Sequence, residues 1–213
     1  MKGMTTRRGI ARNVLLCAAL FLTACSDSPK STVKKEPEKP LEPITGRQAF
    51  QKIFPAARLW AMDAKPLQME SYDLSMVKAP RGKAAAWQVT FVSDSLHKSR
   101  SWTWSAAEAP GNLHLGVFAG LQQDWSGPTG QASPFEIAAI RVDSDAALET
   151  ALKQKDTIEY ERQYPGKPIK FLLERTRRFP DLSWRLIWGE SISASDYSVF
   201  IDASTGGFLG KIR

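Results

Sequence analysis

Trp184-Arg185-Leu186-Ile187-Trp188, with Val199-Phe200-Ile201-Asp202-Ala203 fifteen residues after its start, decides how the chain folds. Apolar residues alternate with others in both stretches, the signature of strands with one face buried. Upstream, Trp87-Gln88-Val89-Thr90-Phe91 and Trp102-Thr103-Trp104-Ser105-Ala106 show the same pattern at a constant offset. An extended segment precedes each pair, Leu67 to Leu74 in the first half and Ile169 to Arg175 in the second. A fourth strand is expected after each: Leu113, Leu115 and Val117 in one half, Phe208 and Leu209 in the other.

A helix is expected ahead of each set of strands. In the second half Asp143, Ser144 and Asp145 supply capping groups and negative charge, and Ala147, Leu148, Ala151, Leu152 and Ile158 form an apolar stripe. The first helix reads from Gly46 to about Phe54, with Ala49, Phe50 and Ile53 on its buried face and Pro55 as its stop. Gly127-Pro128 and Gly130, within 122–134, mark a joint between the halves. The expected fold is α+β: two repeats of a helix plus a three- to four-stranded antiparallel sheet, over 44–130 and 131–213.

Ahead of these lies a different kind of sequence. Arg7, Arg8 and Arg12 precede the apolar run Val14 to Leu22, which as a helix rises only about 14 Å, far short of a ~30 Å hydrocarbon core. The pattern is that of an export signal. Leu22-Thr23-Ala24-Cys25 resembles the bacterial lipobox, which implies a signal peptide over 1–24 and a diacylglycerol thioether on Cys25. Several acyl chains, at about 0.8 kcal/mol per buried methylene, make such anchoring effectively permanent. Ser26, where an aspartate would signal inner-membrane retention, points by the same resemblance to the outer membrane. Arg7-Arg8 matches a twin-arginine signal only in part. The lipidated cysteine and a Pro/Lys/Glu-rich linker, read as disordered, occupy 25–43; extended at ~3.1 Å per residue, the linker reaches about 55 Å.

The chain has 213 residues, 43% apolar and 24% charged, which excludes wholesale disorder and a multi-span membrane protein. Its 29 Lys and Arg exceed its 22 Asp and Glu by seven, an excess that falls to +3 without the four bases of the leader. That is too little to indicate nucleic-acid binding. Of the two cysteines, Cys17 leaves with the leader and Cys25 carries lipid, so a disulfide framework, a cysteine nucleophile and a thiolate metal site are excluded on this reading.

Tyr197-Ser198-Val199-Phe200-Ile201-Asp202-Ala203-Ser204-Thr205-Gly206-Gly207-Phe208-Leu209 resembles the closing hairpin of the PepSY domain, with its Asp-Ala-x-Thr-Gly turn. The resemblance covers about 70 residues of the second half. In the first half Ala106-Ala107-Glu108-Ala109-Pro110-Gly111-Asn112 replaces that turn, so a first PepSY-like copy is divergent. The resemblance implies a non-catalytic domain that restrains secreted peptidases or binds envelope partners.

Residues capable of catalysis are sparse. His97 and His114 lack ligand-like partners at i+3 or i+4, Gly189-Glu190-Ser191-Ile192-Ser193 lacks the closing glycine of a nucleophile elbow, and no glycine-rich loop carries a following Lys-Ser/Thr. Asp143/Asp145 and Glu159/Glu161 read as caps and a solvated face, and Asp202 as a turn former rather than a calcium ligand. Lys167, Lys170, Arg175, Arg177 and Arg178 read as a charged edge strand, with attraction to an acidic partner or an anionic envelope polymer as the alternative. No catalytic residue, metal or cofactor is expected. With Trp87, Trp102, Trp104, Trp184 and Trp188 turned to the core, Gln88, Thr90, Arg185, Ile187, Ser198 and Phe200 fall on the opposite, open face. Together with Trp125 they form the candidate binding face.

The expected function is that of a membrane-tethered lipoprotein acting as a binding or inhibitory module, towards an extracytoplasmic peptidase or another envelope protein. The alternative is a structural or assembly lipoprotein of an outer-membrane complex.

Overall fold

The computed structural model describes residues 40–128, 130 and 132–212. The leader, the lipobox and the linker as far as residue 39 lie outside the described residues. Elements follow in the order α1 (Gly46–Trp60), β1 (Lys65–Tyr72), β2 (Ala86–Ser93), β3 (Lys98–Ser105), β4 (Gly116–Asp124) and the short β5 (Ala132–Ser133). A 3-10 turn (Ile137–Ala139), α2 (Ser144–Leu152), α3 (Lys155–Gln163), β6 (Ile169–Thr176), β7 (Ser183–Gly189), β8 (Ser195–Asp202) and β9 (Phe208–Ile212) complete it.

The strands form one antiparallel sheet in the order β4-β3-β2-β1-β6-β7-β8-β9, with β5 beside β6. This single sheet overturns the expected fold of two repeats, each a helix plus a three- to four-stranded antiparallel sheet. The seam is the pairing of β1 with β6, where Gln68, Met69 and Glu70 lie opposite Glu174, Leu173 and Leu172. Its cause is a shared core: Trp87 and Trp184 meet edge to face at 6.2 Å, and Phe171 packs on both at 6.0 and 6.4 Å. Each such ring removes 150–250 Å² from water, roughly 4–6 kcal/mol. An isolated half would forfeit on the order of a whole domain's stability margin of about 5–15 kcal/mol.

The helices cover one face, α1 over β2 and β3 and α2 over β7 and β8. All five tryptophans assigned to the core are buried there. Polar groups at the helix starts tie the halves together. The Asp143 carboxylate accepts from Ser144 N–H at 2.7 Å, from Arg47 N–H at 2.8 Å and from the Thr45 hydroxyl at 2.6 Å. It therefore caps α1 as well as α2. Ser144 Oγ accepts from Gly46 N–H and donates to the Gly82 carbonyl. A Cβ at Gly46 would lie 2.6 Å from the Trp184 ring, so the closest approach of α1 to the sheet requires a glycine.

Local expectations are corrected in three places. α1 continues through Pro55 to Trp60, because Pro55 is on the exposed side and the stripe resumes at Ala57. The single helix expected after Asp143 is two, α2 and α3, broken at Lys153–Gln154; Thr157 and Tyr160 turn inward and Ile158 faces solvent. The fourth strand of the first half begins at Gly116, after Leu113 and Leu115, which make only isolated bridges. The end of the expected linker is bound rather than free: Leu41 N–H donates to Ala106 O at 2.7 Å, and Ile44 and Ala84 exchange backbone bonds at 3.2 and 3.0 Å.

Candidate binding face

The pairing registers place the candidate residues on the sheet face opposite the helices. One transverse row runs Thr103, Gln88, Glu70, Leu172, Arg185, Phe200 and Gly210 across β3, β2, β1, β6, β7, β8 and β9. A second contains Ser101, Thr90, Gln68, Glu174 and Ser183. Ile187 and Ser198 are opposite one another on β7 and β8. Gln88 and Thr90 thus share a surface with Arg185, Ile187, Ser198 and Phe200.

The two parts of that face differ in access. Gln88 and Thr90 are half-buried, among hydroxyl and amide groups. Thr90 Oγ1 and Ser101 Oγ are 2.8 Å apart, Gln88 Nε2 donates to Glu70 at 3.3 Å, and the Tyr72 hydroxyl donates to Glu70 as well. Burial, followed by that bond to a carboxylate, raises the Tyr72 pKa.

On the second half Ile187 and Ser198 are fully buried and Phe200 is 5% exposed. The connection from β6 to β7 covers Phe200: the Phe179 ring stacks on it at 4.4 Å, and the Arg178 guanidinium lies 5.5 Å over Phe179. Thr176 and Phe179 hold this turn by bonds in both directions, Thr176 N–H to Phe179 O at 3.0 Å and Phe179 N–H to Thr176 Oγ1 at 3.1 Å. Arg185 lies 5.7 Å over Phe200 and donates to Ser198 and Ser195, each at 3.2 Å. The covered part of this face is therefore internal packing rather than an open platform.

Glu174 and Arg185 feel that enclosure. Burial raises the Glu174 pKa against the opposing pull of Arg185, and burial lowers that of Arg185 despite Glu174. The sequence reading missed Glu174, Glu70 and Tyr72 as members of this surface, although their alternation on β1 and β6 was an available signal. Beside Tyr72, a groove of about 420 Å³ is lined by Glu70, Lys170, Phe171, Glu190 and Ile192.

Trp125 is elsewhere. It follows β4 at the outer end of the sheet, where its indole N–H donates to Asp94 at 3.2 Å and its backbone N–H to His97 O at 2.9 Å. It closes the β2–β3 hairpin and does not join the row. Nearby His97 adopts φ +52° in the hairpin turn, and His114 packs on Phe118 at 4.2 Å with Nδ1 3.0 Å from Glu108. Among the described residues, no group of three or more His, Cys, Asp or Glu is placed to hold a metal ion. None of their helices is long and apolar enough to cross a membrane.

No family model matches this chain, and no curated protein matches it. Neither comparison bears out the PepSY resemblance. A crystal structure of a "putative lipoprotein" from Clostridium difficile 630 is similar, with a TM-score of 0.45 and 10% identity, over 77% of this chain and 91% of that one.

Proposed function

We propose that this chain is a lipid-anchored envelope protein that acts by binding rather than by turnover. The observation that carries the reading is Leu22-Thr23-Ala24-Cys25, placed behind a basic stretch and an apolar run too short to span a bilayer. Cys25 would carry the lipid, and Ser26 favours the outer membrane, facing the periplasm. The Pro/Lys/Glu-rich segment behind it suits a spacer between bilayer and folded domain. The partner would be an envelope protein, and the PepSY-like closing hairpin suggests an extracytoplasmic peptidase. The modest basic excess gives no reason to expect nucleic acid.

The accessible polar part of the sheet face, around Gln68, Glu70, Gln88 and Thr90, replaces the Arg185/Phe200 platform as the surface offered to that partner. A structural or assembly role is the second reading. It is favoured by the burial of Ile187, Ser198 and Phe200, which withdraws these three members of the expected binding face from contact with a partner.

Labelling cells with radioactive palmitate tests the anchor: the wild type should be marked and Cys25→Ala should not, and an unmarked wild type would overturn it. Cross-linking in cells then separates the roles. An inhibitor should trap a secreted peptidase and slow it in purified form, with Gln88→Lys weakening both effects. An assembly protein should trap membrane proteins and leave peptidases untouched. Hydrolytic turnover by the pure protein would overturn both readings.

A further inference from the structure

β4 ends the sheet, and among the described residues no strand pairs with its outer edge. Edge strands are commonly guarded by charge, proline or brevity. β4 has nine residues, GVFAGLQQD, no proline and one charge at its last position, where Lys98 holds Asp124. It exposes 41% of Val117, 42% of Phe118 and 89% of Leu121. The opposite edge, β9, carries Lys211 within five residues.

A bulge in β4 gives the edge a particular symmetry. Trp104, Trp102 and Arg100 share the helix-facing side of β3 and lie opposite Val117, Ala119 and Gln122, with the register slipping between the last two pairs. Val117, Ala119 and Gln122 therefore face the helices, as the bond from Trp60 Nε1 to Gln122 at 2.7 Å confirms. Phe118 and Leu121 face the other way. The slip makes the strand self-complementary about the midpoint of Ala119 and Gly120. A second β4, antiparallel and related by a twofold axis, would set Phe118 opposite Leu121 on one side and Val117 opposite Gln122 on the other. Ala119 and Gly120, both small, would lie at the axis.

We propose that β4 pairs with β4 of a second copy of this chain, extending the sheet through a twofold axis. Charge favours this occupant: from Gly116 to Gln123 the edge is neutral, so two copies meet without repulsion, whereas a strongly charged segment finds no counter-charge. The three exposed apolar side chains offer on the order of 300 Å² per copy, below the ~800 Å² per partner of a standard interface. The pairing is therefore weak in dilute solution and gains from confinement on a shared surface.

The test uses the full chain in cells and, to separate pairing from anchoring, the purified full chain at high concentration. Val117→Cys/Gln122→Cys places each new thiol opposite its counterpart in the second copy and far from its partner within one chain. Under oxidation the double variant should give at least ten-fold more disulfide-linked dimer than either single variant, in both settings. Adding Leu121→Lys, at a solvent-exposed position the fold tolerates, should cut the yield several-fold. Equal yields from single and double variants, no dimer in either setting, or disulfides only to a different protein would overturn the proposal. Palmitate labelling is read independently, so loss of the anchor and loss of the pairing are distinguishable.

Discussion

Asp143 holds the starts of two helices at once, and its loss should cost more than that of an ordinary cap. One cap contributes about 1 kcal/mol. With donors from Arg47, Thr45 and Ser144 converging on it, Asp143→Ala should lose about 2–3 kcal/mol in urea unfolding. Replacing Asp145, exposed two residues on in the first turn of α2, with alanine should lose roughly 0.5 kcal/mol in the same experiment. Asp63 provides a pH signature. Ser93 Oγ at 2.6 Å and Ser95 N–H at 2.8 Å hold its carboxyl at about 2, below the model-compound 3.8. A depressed folded-state value means that the stabilisation is fully present above pH 3.8 and is lost as pH falls towards 2. Thermal midpoints between pH 5 and 2 should therefore fall less steeply in Asp63→Asn than in the wild type; parallel curves would contradict this. Glu174 has the reverse sign: its raised value makes the ionised form a cost that grows as pH rises through it. Glu174→Gln should be neutral or stabilising at pH 7.

At the level of elements, α1 shows how far local sequence reaches. The periodicity of Ala49, Phe50 and Ile53 was legible, but proline was read as a stop. What decides is the side on which the ring lies: Pro55 faces water, so the carbonyl of Gln51 that loses its donor remains hydrated, and Ala57 and Trp60 still gain contacts. Pro55→Ala should restore that bond and raise stability by about 1–2 kcal/mol, after allowance for a more flexible unfolded chain, as read from the unfolding midpoint. The strands other than β4 and the short β5 were legible from alternation to within a few residues. The covering of Phe200 was not, since Phe179 reaches it through the fold of a connection whose sequence carries no period. Alternation therefore grouped six of the seven candidate residues on the face opposite the helices, Trp125 excepted, but their accessibility was set by a tertiary contact.

For the molecule as a whole, the decisive fact is the pairing of β1 with β6, strands about a hundred residues apart. Alternation determines which face of a strand is buried but not which strand lies beside it, so the chain could be read as two modules. The shared packing of Trp87, Phe171 and Trp184 predicts a single cooperative transition. Tryptophan fluorescence and far-ultraviolet circular dichroism should give coincident urea curves, and a fragment ending near residue 130 should fail to unfold cooperatively. Two separated transitions would show that the seam is weak. The sites carrying chemistry were the least legible part, because the polar row on the open face is assembled from five or more strands, each of which contributes only one or two ordinary side chains.

The bonded stretch from Leu41 to Ile44 also determines how the domain would bear a load. Tension along the chain upstream of residue 40 arrives first at the Leu41–Ala106 bond and then at the paired Ile44–Ala84 bonds, behind which the Trp87 indole grips the Ile44 carbonyl at 2.9 Å. A pull from the N-terminal side would therefore load this short clasp, seated against the fully buried Trp87 ring, before it loads the sheet.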